Sequence, residues 1–125
     1  MVLAPSVTRV THETAATTAA SIHLHYEGAV IETPLGAFAG VAELSGVAVL
    51  APEQGLVEWF PDADQELRPL AALAAEAVGA GWRVAVLIPA FRMGEAHRAL
   101  RGIELTLQPW WADGESVRFG GPEVP

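Results

Sequence analysis

At 125 residues, 51% of them hydrophobic, the chain is long enough for one domain with a substantial core and too apolar to be disordered. It contains no Cys, Lys or Asn. That excludes disulfides, thiolate nucleophiles, Cys-based zinc sites, a Walker A or Schiff-base lysine, a Ser-x-x-Lys nucleophile and N-glycosylation. The formal net charge is −8, so the long-range field repels nucleic acid and anionic membranes.

No apolar run approaches the roughly 18 residues that span a bilayer, and the N-terminus lacks a basic region followed by an apolar stretch. The expected location is the cytoplasm. Met1 to Pro5 reads as a loose end and Ser6 to Val10 as a short strand. Thr11 to Ala20 carries small residues and no anchor, so a marginal helix and an ordered loop both fit. Ser21 to Glu27 alternates, with Ile22, Leu24 and Tyr26 on one face and His23, His25 and Glu27 on the other. That is the pattern of an amphipathic strand, and Ala29 to Glu32 is expected to pair back on it as a hairpin.

Thr33-Pro34 has the form of an N-cap followed by proline at the first helical position. Leu35, Phe38, Val41 and Ala42 then share a helical face that Gly46 would end; a second hairpin is the competing reading. Val47 to Ala51 is an apolar strand, Pro52 to Gly55 a turn, and Leu56 to Phe60 the next strand. Asp62 or Asp64 is expected to cap a helix whose buried stripe is Leu67, Leu70, Leu73, Ala74, Ala77 and Val78. Gly79 and Gly81 stop it.

Val84 to Ile88 follows, a continuous apolar run closed by Pro89. A strand without polar alternation must be covered on both faces, which places it mid-sheet. Met93 to Arg101 reads as a short helix stopped by Gly102, and Ile103 to Gln108 as a strand. Asp113-Gly114 signals a hairpin returning through Ser116 to Phe119, and residues 120–125 read as a loose, extended end. The whole is a single α/β domain over residues 1–125, with α+β as the variant and two or three layers. A β-α-β-α-β parallel core spans residues 56–108, and antiparallel hairpins lie on the N-terminal side and at the C-terminus.

Ligands of open parallel sheets bind beyond the carboxyl ends of the strands. Pro61, Pro89 and Pro109 close three strands, so Asp62, Asp64, Phe91, Arg92, Trp110 and Trp111 are expected on one edge. Trp110 and Trp111 are adjacent on a strand and point to opposite faces. Arg92, His97, Arg98 and Arg101 form a basic run suited to an anion or an acidic partner, with a solvated helix face as the plainer alternative.

No cofactor is called for; the candidate is a divalent metal. Glu58, Asp62 and Asp64 offer hard oxygen ligands at a strand end. His23 and His25 would point the same way from a strand, with Glu27 on that face and His12 in reach, although the Glu spacing is not that of the cupins. No serine lies in Gly-x-Ser-x-Gly, and no glycine cluster follows a strand in dinucleotide spacing.

In element order, residues 11 to 89 resemble the core of restriction-endonuclease-like nucleases: a helix, a strand meander, a helix and a strand. In that family an acidic residue and an Acid-x-Lys pair sit on the second and third strands. The nearest residues here are Glu53-Gln54 and Glu58-Trp59-Phe60, neither with the lysine. The resemblance therefore implies a non-catalytic relative. The function expected is a non-catalytic protein-interaction or accessory module, a homodimer being one form. The alternative is a metal-dependent hydrolase or degenerate nuclease. Protein or self is the expected partner, not nucleic acid or membrane.

Overall fold

The computed structural model describes residues 12–23, with side chains given for 14–19, and residues 30–125. Its centre is a six-stranded sheet whose strands lie side by side in chain order: β1 (Ile31–Pro34), β2 (Gly46–Ala51), β3 (Leu56–Pro61), β4 (Arg83–Pro89), β5 (Thr106–Asp113) and β6 (Ser116–Phe119). β3, β4 and β5 run parallel, and β1-β2, β2-β3 and β5-β6 are antiparallel. Helices α1 (His12–His23), α2 (Leu35–Ala39), α3 (Leu70–Gly79) and α4 (Met93–Ala99) complete a mixed α/β domain.

The parallel connections follow from helical crossovers, which a two-residue turn cannot replace. α3 carries β3 to β4, and α4 carries β4 to β5. Leu70, Ala74 and Ala77 of α3 and Ala96 of α4 are buried with Val57, Trp59, Val84, Val86, Ile88 and Leu107 of the sheet. Burying a leucine such as Leu70 completely contributes about 1.5–3 kcal/mol. On the other face Ala15, Ala16 and Ala19 of α1 pack with Val47, Val49, Phe60, Leu87 and Trp110. The domain is therefore three-layered, and its central strand β4 is covered on both sides.

Several local expectations change. Ser21 to His23 belong to α1, not to a strand. The alanine-rich turns before them are strong helix formers, and a nucleated helix propagates at little cost. Leu24 to Ala29 and the possible strand at residues 6–10 lie outside the described residues. β1 pairs antiparallel with β2, Ile31 opposite Leu50. α2 is only five residues long and ends at Gly40, not Gly46. Gly40 takes φ 76°, a left-handed value that costs glycine least, and its N–H closes on the Gly36 carbonyl. Pro34 holds the N-cap place with no side-chain cap bond, so Thr33 does not cap the helix.

Asp62 and Asp64 do not cap α3 either, because the helix starts eight and six positions later, after Pro69. β5 begins at Thr106 and runs straight through Pro109 to Asp113. In a strand, the nitrogen and carbonyl of one residue point to the same side. The Pro109 carbonyl accepts from Gly120 N at 2.9 Å. Its nitrogen therefore faces the C-terminal tail, and no bond to β4 is lost. The tail is docked, not loose: Glu123 and Leu107 exchange two backbone hydrogen bonds of 2.7 Å each. Among the described residues no helix is long and apolar enough to cross a membrane.

Candidate functional site

The carboxyl ends of β3 and β4 do converge. Pro89 stands opposite Trp110 on β5, and Trp59 opposite Val86 on β4. The loops after Pro61 and Pro89 are thus neighbours, and one side chain joins them. Arg92 donates through Nη1 to the carbonyls of Ala63 at 2.8 Å and Asp62 at 3.4 Å. Its Nε and Nη2 grip the Glu95 carboxylate at 3.1 and 2.8 Å. The Arg92 hydrogen bonds hold the Glu95 carboxyl below the usual carboxylate range, and the positive charge of Arg98 adds to this. Arg92 is consequently a clamp between two loops rather than an open anion receptor.

The remaining edge residues divide sharply. Asp62 is half-buried, donates its backbone N–H to the Ser45 carbonyl, and accepts at its own carbonyl from Gln65 N. Asp64 is exposed. Phe91 is 81% exposed, in the 3-10 turn Ala90–Arg92 that lies against β5. Trp111 is 41% exposed, whereas Trp110 is buried on the α1 side of the sheet. The adjacent tryptophans do point to opposite faces.

The basic run is not one surface. Arg92 is taken up as described, and His97 Nε2 lies 2.6 Å from Glu123 Oε1 on the docked tail. Arg98 lines a cleft of about 290 Å³ with Arg68, Ala99 and Glu95, and Arg101 is exposed. An anion entering that cleft would meet the Glu95 carboxylate as well as the arginines.

The carboxylate set for a metal is not assembled. Among the described residues no three His, Asp or Glu side chains are close enough to share an ion. Glu58 sits mid-strand between Val49 and Ala85, on the face over which α1 lies. Asp62 and Asp64 belong to the loop beyond the strand. His23 is the last residue of α1, so it does not share a strand face with His25; the side chains of His12 and His23, together with His25 and Glu27, lie outside what is described.

Glu58 is nevertheless unusual. It is 5% exposed, and burial pushes its carboxyl up to about 7. Its Oε1 has no hydrogen-bond partner among the described residues. Phe60, two residues on and fully buried on the same face, stands where the nuclease pattern has its lysine. β2 reads Gly-Val-Ala-Val-Leu-Ala and carries no acid; Glu53 is in the exposed turn after it.

One concavity had no motif to announce it. Phe38 of α2, Trp59 of β3 and Trp82 before β4 line a cavity of about 200 Å³ with Leu73, Glu76 and Ala77 of α3. Phe38 meets Trp59 edge to face at 6.0 Å and 70°, and Trp82 at 5.6 Å and 74°. The three aromatics come from three separate elements, so sequence spacing does not group them. Compared with protein-family models, with curated proteins and with solved structures, the chain matches none.

Proposed function

We propose that this chain is a non-catalytic protein-interaction module that docks through the aromatic edge beyond β4 and β5. The observation that supports this reading is Phe91, a large apolar ring 81% exposed on a turn whose next residue is clamped at both ends. On a fixed turn the backbone carrying the ring has little ordering entropy left to lose on binding. Trp111, 41% exposed on the neighbouring strand, extends the same edge. Aromatic residues of this kind are enriched at protein interfaces. Phe60 in the place of a lysine and the acid-free β2 are in keeping with this reading.

A second copy of the chain is the partner to test first. Two copies each carrying −8 repel, so self-association driven by Phe91 and Trp111 should strengthen with added salt. Light scattering after size exclusion, across concentration and ionic strength, reads this directly. The expected result is a salt-favoured dimer that Phe91→Ser and Trp111→Ser each weaken without lowering the melting temperature. A wild-type chain that stays monomeric at every salt concentration overturns the self-association reading.

A further inference from the structure

We infer that the cavity between α2 and α3 is a binding site for a quaternary ammonium headgroup. Three observations meet there. Phe38 is set steeply to both indoles, at 70° to Trp59 and 74° to Trp82; Phe38 and Trp82 are half-buried, whereas Trp59 is fully buried. A group lodged in the corner between Phe38 and Trp82 can lie against both rings. Aromatic faces carry negative quadrupole charge and attract cations whose methyl groups also suit an apolar wall. Next, among the described residues the single charged one lining the cavity is an acid, Glu76. The Glu76 side chain is exposed and makes no hydrogen bond or ion pair among the described residues, so its charge is available to an incoming cation. Finally, the size fits. About 200 Å³ is below the roughly 300–1,000 Å³ of pockets for drug-sized ligands, and suits a trimethylammonium group with a short stem.

The rest of the chain favours the same occupant. Among the described residues no arginine or histidine lines the cavity, and the molecule as a whole carries −8. The field therefore raises the local concentration of a cation and repels an anion. A purely neutral apolar ligand would use the same walls but draw nothing from Glu76. This difference separates the two readings experimentally.

The test uses the full chain with choline, tetramethylammonium and 3,3-dimethylbutan-1-ol, the last being the uncharged carbon analogue of choline. Binding is followed by the indole N–H signals of Trp59 and Trp82 in NMR spectra and by tryptophan fluorescence. Choline and tetramethylammonium should shift both indoles, with the carbon analogue binding about 3- to 30-fold more weakly, the range a cation–π contact supplies. Glu76→Gln, a surface change that leaves the rings in place, should weaken choline several-fold and leave the carbon analogue unaffected. Equal affinity for choline and its carbon analogue overturns the inference. So does an absence of any shift at Trp59 and Trp82 up to about 50 mM choline, a concentration that would populate even a very weak site.

Discussion

The guanidinium of Arg92 donates to the carbonyl oxygen of Ala63 at 2.8 Å, across 29 positions of sequence, while its other edge holds Glu95. A single side chain thereby fixes the loop after β3 to the turn that presents Phe91. Arg92→Met should cost about 1–3 kcal/mol, because the bonds to a charged donor are lost and the carbonyls lose their partner. Arg92→Lys should recover little of it, since an ammonium lacks the planar fork that reaches carbonyl and carboxylate together. Urea denaturation of the two variants measures both effects.

Glu58 should make the domain less stable as pH rises. Its folded carboxyl is raised to about 7 against an ordinary 4.5, so between these values the folded chain holds the proton more tightly than the unfolded one. The associated stability is fully present below about pH 4.5, declines through the window, and is gone above about pH 7. The gap corresponds to a loss on the order of 3 kcal/mol. Glu58→Gln, neutral throughout, should abolish this slope and be the more stable protein at pH 8. Parallel stability–pH curves for wild type and variant would refute the assignment.

Glycine substitutions should split by position. Gly46 adopts φ 138°, and a Cβ there would stand 2.8 Å from Pro61 Cα and closer still to the Phe60 carbonyl oxygen. Both obstacles are backbone of the adjacent strand. Gly46→Ala should therefore lower stability by about 3 kcal/mol or more. At Gly79, the last residue of α3, an added Cβ meets nothing within 4 Å among the described residues. Gly79→Ala should raise stability by about 0.4–1 kcal/mol through a less free unfolded chain. Thermal melts of the pair distinguish the two directions.

The C-terminal tail should matter to the fold. A chain ending at Gly121 loses both Glu123–Leu107 backbone bonds and the Glu123 contact to His97. The uncovered outer side of β5 at Leu107 is then left to water. A loss of about 1–3 kcal/mol is expected. Hydrogen exchange should show faster exchange at the Leu107 amide than in the full chain.

Much of the frame is legible in the chain itself. Val84 to Ile88 is unbroken by any polar residue, and it is the central strand, covered by α1 on one face and α3 and α4 on the other. Leu70, Ala74 and Ala77 recur at helical spacing and are the buried stripe of α3. Asp113 and Gly114 lie where β5 turns into β6. Where reading failed, a local signal met a competing one. The alternation at Ile22 to Tyr26 resembles a strand, yet Ser21 to His23 continue the helix begun by the alanines. Pro109 resembles a strand end, yet its nitrogen faces the docked tail, where no sheet bond to β4 is required of it.

The candidate sites divide in the same way. The ends of β3 and β4 could be read from Pro61 and Pro89, and this brought the Asp62–Ala63 loop and Arg92 to one edge. Whether Arg92 faced solvent or a carbonyl could not be read, because its partners lie 29 and 30 positions away. The aromatic cavity is further removed still: Phe38, Trp59 and Trp82 each look like ordinary core residues of their own element. Periodicity sets which face of an element is apolar, since it depends only on neighbours three or four residues apart in a helix and two in a strand. Which apolar faces then meet, and what hollow they leave, depends on sheet register and helix placement. Those follow from the simultaneous packing of β2, β3 and β4 with α1, α2 and α3, and no single stretch of the chain carries that information.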